Sequence, residues 1–164
     1  MLKCLPLFLM FRKMLHCVLY QPEIPPNTGN IIRLCANSGV QLHLIHPLGF
    51  SMEDKQLRRA GLDYHEFANV QQYASLEEFL QKFNPKRLFA CSTKGQRFYH
   101  QVSYQHNDVF IFGPETRGLP MSFLTSLPSE TIIKIPMREG NRSLNLANSV
   151  GIILYEAWRQ LDFK

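Results

Sequence analysis

The chain has 164 residues, of which 45% are hydrophobic and 19% are charged, a composition that is ordinary for one soluble globular domain. No run of 18 or more apolar residues occurs, which excludes a transmembrane helix. The formal net charge of +5 falls to +2 without the three basic residues of positions 1–13, so overall charge gives little support to nucleic-acid binding.

Residues 1–13 differ in character from the rest of the chain. Most of their basic charge lies on the C-terminal side of an apolar run, and no small-residue cleavage site follows, so they do not fit a signal peptide. Met14 is followed at once by a strand-like run. We expect residues 1–13 to be a non-native extension and residues 14–164 to form a single domain.

Short apolar segments alternate with helical segments along that domain. The predicted strands are 16–21, 41–46, 87–93, 108–113 and 131–136. The predicted helices run from Asn27 or Thr28 to Ser38, over 53–60, over 75–83, within 119–127, and from about Leu144 to Leu161. Continuous apolar strands separated by helices predict an α/β fold, a mostly parallel sheet with helices on both faces.

The common ligand-binding signatures of such folds are missing from the sequence. There is no GxGxxG after the first strand, no GxxxxGK[ST] and no GxSxG, which disfavours nucleotide-dependent oxidoreductases, P-loop proteins and serine hydrolases. The six histidines and four cysteines have no metal-like spacing, so we expect no metal site. Without a disulfide framework, the cysteines indicate free thiols in a reducing cytoplasm.

Polar residues concentrate in three loops, 22–30, 113–120 and 137–145, each of which follows a predicted strand. Ligand sites in parallel sheets lie at the carboxyl ends of the strands, so these loops are expected to converge on one site. In the second loop, glycines and prolines hold Glu115 in a short, fixed segment. Because glycine lacks a Cβ, the backbone at Gly113 could approach a planar ligand closely.

The start of the first predicted helix holds Asn27, Thr28 and Asn30, with Arg33 one turn further on. Helix N-termini favour anions such as phosphate, so Arg33 could be aimed at a phosphate near the strand ends. The residues support equally well a capped helix with one exposed arginine.

A second group of basic residues comprises three on the short second helix and four in other loops: Lys55, Arg58, Arg59, Lys94, Arg97, Arg138 and Arg142. Residues of this kind are usually only solvated. Brought together, they could also form a basic surface for RNA.

Three segments resemble one enzyme family: PEIPPNTGNIIRLCANSG (22–39), FGPETRGLP (112–120) and IPMREGNRSLNLANSVGIILYEAWRQL (135–161). The resemblance is to the SPOUT, or trefoil-knotted, RNA methyltransferases. Within these it is to the small tRNA 2′-O-methyltransferases that act on the wobble cytidine or uridine. It covers Met14 to Phe163 with the three motifs in order, and it implies a deep C-terminal trefoil knot, which general folding rules would not suggest.

The resemblance also implies a cofactor and the residues that hold it. S-adenosylmethionine is expected in the knotted region, on a wall formed by Cys91, Thr93, Gly113, Glu115, Gly118, Ile135, Met137, Ser143, Leu144 and Asn148. The residues expected to act on the ribose are Arg33, Glu115, Ser143 and Asn145. A guanidinium stays protonated in proteins, so we expect Arg33 to anchor the RNA and orient the 2′-hydroxyl rather than to act as a base.

The expected partners are the anticodon stem-loop of tRNA and a second copy of the chain, packed through the first and last helices. The residues expected to contact RNA are Asn27, Asn30, Lys55, Arg58, Arg59 and Arg142. No membrane and no metal is expected. Two alternatives stay open: 2′-O-methylation at another RNA site, and a non-catalytic dimer that binds RNA or an adenosine ligand.

Overall fold

The structure is a computed structural model that describes residues 13–59, 66–67 and 69–164. The predicted extension 1–13, apart from Lys13, and the predicted end of the second helix at residue 60 lie outside these ranges. Within them, no helix is long and apolar enough to cross a membrane.

The described residues form one seven-stranded sheet. Its strands are β1 His16–Tyr20, β2 Gln41–Ile45, β3 Gln71–Tyr73, β4 Leu88–Cys91, β5 Arg97–Phe98, β6 Val109–Phe112 and β7 Ile132–Lys134. The order is β3-β2-β1-β6-β4-β7-β5, and every adjacent pair is parallel. The five predicted strands and the parallel sheet are confirmed. The two edge strands were missed because β3 is polar and β5 has only two residues, so neither shows an apolar run.

The predicted helices are present, with ends that shift by a few residues. Those with described bounds are α1 Pro25–Ser38, α2 Lys55–Arg58, α3 Leu76–Phe83, α4 Met121–Ser126 and α5 Leu146–Gln160. Single 3₁₀ turns lie at Tyr99–Gln101 and Ser129–Thr131.

The start of α1 differs from the sequence prediction. The helix begins at Pro25 with Ile24 as its N-cap, and no side chain caps it. Prolines in the first turn have φ preset for a helix and need no acceptor for an N–H, so the two prolines extend α1 by two residues. The prediction that Asn27 or Thr28 caps α1 was therefore wrong, since both are buried inside its first turn.

Two buried clusters cover the two faces of the sheet. Cys17 and Leu19 of β1 pack with residues of α1 and α5 on one face. Val18 of β1 packs on the other face with Phe79 of α3 and Leu124 of α4. Burial on both faces explains why the strands read as continuous apolar runs.

The last strand is inserted between two earlier ones. β7 pairs with β4 on one side and with β5 on the other, although only residues 92–96 separate β4 from β5. The Ser92 N–H donates to the Ile133 carbonyl at 2.9 Å, and a Cβ on Gly95 would lie 2.8 Å from the Ile132 carbonyl oxygen. An earlier connection that passes tightly around a later strand is the crossing that the expected trefoil knot requires.

A buried pair of histidines lies on the α3 face, with His16 at the amino end of β1 and His43 in the middle of β2. His16 Nδ1 and His43 Nε2 are 3.1 Å apart, and the Tyr73 hydroxyl lies 3.2 Å from His43 Nδ1. The rings of Phe79 and Phe83 surround the pair. Burial lowers the pKa of His16 from 6.5 to about 4 and that of His43 to about 3, so both are neutral in the folded protein at pH 7.

The histidine pair should make the fold sensitive to acid. Below pH 6.5 the two imidazoles bind protons in the unfolded chain but not in the folded chain, so the free energy of unfolding falls as the pH falls. The loss for each histidine is about 2 kcal/mol by pH 5. The variant His43→Gln should therefore lose about 2 kcal/mol less than the parent protein between pH 7 and pH 5, measured by urea unfolding at both pH values. His46→Gln, at a half-exposed position, should behave like the parent; an equal loss in all three proteins would contradict the assignment.

Candidate functional site

A cavity of about 460 Å³ opens at the carboxyl ends of β4, β6 and β7. The structure places nine of the residues expected around the cofactor on its wall: Cys91, Thr93, Gly113, Glu115, Gly118, Ile135, Met137, Ser143 and Leu144. Asn145, expected at the ribose, and Asn27 also line it. Asn148, the tenth residue expected on the wall, does not; its backbone N–H points to Asn145.

The second loop folds back tightly on itself beside the cavity. A Cβ on Gly113 would lie 2.8 Å from the Gly118 Cα and closer still to the Gly118 carbonyl carbon and the Leu119 nitrogen. Gly118 has a φ of +69°, which lies in the left-handed region that glycine adopts without strain. The backbone at Gly113 is therefore in close contact with the returning loop of the chain itself, and the expected approach to a planar ligand stays a prediction.

The carboxylate of Glu115 is bound by the start of α1. Its Oε2 accepts from the Glu23 N–H at 2.8 Å, and its Oε1 accepts from the Ile24 N–H at 3.1 Å and from Asn27 Nδ2 at 3.3 Å. Hydrogen bonds to a carboxylate are stronger than neutral ones, and the positive end of the helix dipole adds to them. The anion at this helix start is thus a side chain of the protein, which occupies the donors that a phosphate would need.

Asn145 ties the third loop to the first two. Its Nδ2 donates to Asn27 Oδ1 at 2.9 Å, and its Oδ1 accepts from the Asn148 N–H at 3.2 Å, which caps α5. Ser149 Oγ donates to the Asn145 carbonyl at 3.1 Å. Because Asn27 also contacts Glu115, hydrogen bonds run through all three loops, and their predicted convergence is confirmed.

The side chain of Glu23 binds the second loop, just as the side chain of Glu115 binds the backbone of Glu23. Its Oε2 accepts from the Thr116 N–H at 3.2 Å and from Thr116 Oγ1 at 2.7 Å, and its Oε1 accepts from Arg117 Nε at 3.3 Å. These donors, the Thr116 hydroxyl first, hold the pKa of the Glu23 carboxyl below its usual range. Each of the two loops therefore binds the other through a carboxylate.

The inner part of the cavity is apolar. Phe112, Leu119, Leu146 and Ile153 line it and are buried. Burial also raises the pKa of the Cys91 thiol, so the thiol stays protonated and acts as a packing group rather than a nucleophile. Among the described residues, no group of three or more histidine, cysteine or acidic side chains could hold a metal ion.

Residues 14–155 match the SpoU rRNA Methylase family. The chain belongs to this family. A tRNA (cytidine(34)-2'-O)-methyltransferase of Escherichia coli (strain K12) is 59% identical over 150 residues, which cover 92% of this chain and 96% of that protein. A structure solved in work on the 2-OH methylation of C/U34 on tRNA has a TM-score of 0.85 at 45% identity, covering 93% of this chain and 99% of that one. An AdoMet-bound rRNA methyltransferase from Sinorhizobium meliloti has a TM-score of 0.77 at 25% identity, covering 90% of this chain and 57% of that one.

These likenesses confirm the family read from the three sequence motifs and the SPOUT fold that it implied. The three motifs of this SpoU family member contain the three loops that line the cavity. The family match starts at residue 14. The sequence also predicts a domain that begins at this residue.

The residues expected to contact RNA occupy different surroundings. Asn30, Lys55, Arg58, Arg59 and Arg142 are exposed. Asn27 is 7% exposed, and both ends of its side-chain amide are engaged by Glu115 and Asn145. An RNA contact by Asn27 would therefore require those bonds to change, whereas the exposed residues need no such rearrangement.

The four residues expected at the ribose are not all brought together. Glu115, Ser143 and Asn145 line the cavity. Arg33 is an exposed residue of α1 and does not belong to the wall of the cavity in its own chain.

Sequence reasoning missed the role of Glu23 and of the Arg117 that it binds. The two loops lie more than 90 positions apart in the chain, so no local spacing relates them. The one available signal was that each loop carries an acidic residue among prolines and glycines.

Proposed function

We propose that this SpoU family member transfers the methyl group of S-adenosylmethionine to the ribose 2′-hydroxyl of the wobble nucleotide in tRNA. The observation that carries the proposal is the single cavity on which the three motif loops converge. The E. coli relative and the C/U34 structure support the choice of reaction and of substrate position.

The cavity fits the proposed cofactor. Its volume of about 460 Å³ lies within the range of roughly 300–1,000 Å³ that is common for small-molecule sites. The apolar floor around Phe112 and Ile153 suits an adenine ring, and the polar rim with Ser143 and Asn145 suits the ribose and amino-acid groups. The AdoMet bound in the S. meliloti relative supports the same assignment.

The bound cofactor supplies a methyl group on a sulfonium, so the protein must mainly align the ribose oxygen with that methyl group and assist loss of a proton. Both oxygens of Glu115 already accept hydrogen bonds, from the Glu23 and Ile24 N–H groups that precede α1 and from Asn27 in its first turn. Glu115 therefore supports the cavity by fixing the loop, and Ser143 is the rim residue that can turn its hydroxyl toward the ribose.

A homodimer completes the proposed site. Ile152 and Tyr155 of α5 are 37% and 44% exposed, and Ile24 next to α1 is 41% exposed. Such large apolar side chains on the first and last helices favour packing against a second copy. Since Arg33 lies outside the cavity of its own chain, we infer that it acts on RNA held at the partner's cavity. A tRNA substrate places the enzyme in the cytoplasm.

The role of Arg33 can be tested by a conservative substitution. Arg33→Lys should lower single-turnover methylation of tRNA at least about tenfold, because an ammonium cannot make the planar, two-pronged contact of a guanidinium. Asn37→Ser, also on the exposed side of α1, is the control. Near-normal turnover by Arg33→Lys would show that the planar contact is not needed.

The proposed reaction is tested by mapping the label after incubation with methyl-labelled cofactor and total tRNA that lacks wobble methylation. Label at the wobble ribose is the expected result. Label at another RNA position would replace the substrate, and tight RNA binding without any label would favour the non-catalytic dimer.

A further inference from the structure

The cavity is lined by three cationic residues, Lys94, Arg117 and Lys134, whereas Glu115 is its only acidic residue among those that the structure describes. The charge of Glu115 is stabilised by the Glu23 and Ile24 N–H groups, which precede α1, and by the dipole of α1. The cavity wall is therefore net positive, which suits an anionic ligand better than a sulfonium cofactor.

Arg117 differs from the two lysines in being held from two sides. Its Nε donates to Glu23 Oε1 at 3.3 Å and its Nη2 donates to Gln21 Oε1 at 3.2 Å. Glu23 is itself fixed by both donors of Thr116. The guanidinium thus has a defined direction although its side chain is 60% exposed.

The contacts leave part of the guanidinium available. A guanidinium has five N–H donors, and two of those of Arg117 are used within the described part of the chain. The two donors on Nη1 and the second donor on Nη2 face no acceptor among the described residues. A guanidinium that is held in place and still has donors to offer matches the geometry of a phosphate group.

We propose that Arg117 binds a backbone phosphate of the tRNA at the mouth of the cavity, and that Glu23 and Gln21 are positioning residues that aim its guanidinium. The inference rests on the proposed function, because it takes the ribose to be methylated inside the same cavity. Arg117 then fixes the nucleotide chain beside the reacting ribose, while Arg33 acts from the partner subunit's α1.

The test compares Arg117→Gln with Lys82→Gln. Lys82 is a matched control because its side chain is 67% exposed and also pairs with a glutamate, Glu78, but on α3. The dissociation constant of an unmodified tRNA transcript is measured between about 0.05 and 0.3 M salt, the range in which phosphate contacts dominate the change in affinity. The dissociation constant of S-adenosylmethionine is measured separately by calorimetry.

Arg117→Gln should weaken tRNA binding about 5- to 10-fold at 0.15 M salt and lower the slope of log Kd against log salt by about 1, as expected for one lost phosphate contact. Cofactor affinity should stay within about twofold. Arg117→Lys should retain the salt slope but lose part of the affinity, and Lys82→Gln should match the parent protein in every measurement.

Glu23→Gln tests the positioning role. It should reproduce the lower salt slope, and the double variant Glu23→Gln with Arg117→Gln should be no weaker than Arg117→Gln alone, because the two residues act through one contact. Additive losses would overturn the positioning role.

An unchanged tRNA affinity and salt slope in Arg117→Gln would overturn the phosphate contact. A loss of cofactor affinity with normal tRNA binding would overturn it as well, by assigning the guanidinium to the carboxylate of the cofactor. If the parent protein itself neither binds nor methylates tRNA, the proposed function fails, which is a different outcome from a parent that methylates tRNA without using Arg117.

Discussion

Replacing Gly113 by alanine is expected to abolish most cofactor binding while the sheet remains folded. The added Cβ would meet the backbone of Gly118 and Leu119, which cannot turn aside as a flexible side chain could. The second loop must then shift, and it forms one wall of the cavity. Overpacking of this kind costs about 1–3 kcal/mol; if that is lost from binding, the affinity falls by about 5- to 150-fold. Calorimetric titration with S-adenosylmethionine measures the change.

Gly118→Ala provides the matched control. Nothing lies within 4 Å of a Cβ at Gly118, but its φ of 69 is left-handed, so alanine there costs roughly 1–2 kcal/mol of backbone strain without a clash. Gly118→Ala should lower the free energy of unfolding and retain more cofactor affinity than Gly113→Ala. The opposite order of affinities would show that the close contact at Gly113 does not shape the cavity.

The elements that the sequence predicted are those buried on both faces. Strands β1, β2, β4, β6 and β7 read as apolar runs because helices cover them on either side. The start of α1 was misplaced because a polar side chain was taken for the cap, whereas two prolines begin the helix without one. The insertion of β7 between β4 and β5 depends on contacts between distant segments, which periodicity does not encode; the family resemblance implied a knot but not this strand order.

The convergence of the three loops could be predicted because they follow three parallel strands, whose carboxyl ends share one edge of the sheet. The individual wall residues came from the family resemblance, and their contact with a cofactor stays a prediction. The roles within the wall were harder to predict. Asn27 was assigned to RNA, which stays a prediction, whereas its link between Glu115 and Asn145 became visible only in the folded structure. Likewise, the binding between Glu23 and the second loop could not be predicted from the sequence, because an acidic residue in a loop is most often only solvated.

Glu115→Gln is expected to be the most damaging substitution of a polar residue in the cavity. An amide at this position keeps one acceptor oxygen but turns an NH₂ group toward the N–H donors of Glu23 or Ile24. A buried donor left without an acceptor costs about 1–3 kcal/mol; because the Glu23 N–H is only part-buried and the Ile24 N–H is exposed, we expect about 1 kcal/mol, and the favourable interaction with the helix dipole is lost as well. Urea unfolding should show that decrease. Methylation should fall at least about tenfold because the loops no longer hold each other. Glu139→Gln, an exposed change in the third loop, should alter neither.

Exchanging the charges of residues 115 and 27 distinguishes two roles of Glu115: holding the second loop against the start of α1, and contacting the cofactor or ribose directly. In the double variant Glu115→Gln with Asn27→Asp, the new amide can donate to an aspartate that still accepts from Asn145 Nδ2, and the negative charge stays in the first turn of α1, where the dipole favours it. We expect the double variant to regain about half or more of the lost free energy of unfolding, and methylation to recover with it, since the carboxylate of Glu115 serves the loop rather than the ribose. Recovered stability without recovered methylation would instead assign Glu115 a direct contact with cofactor or ribose. No recovery of stability would show that the bonds to Glu23 and Ile24, which the exchange leaves impaired, outweigh the bond to Asn27.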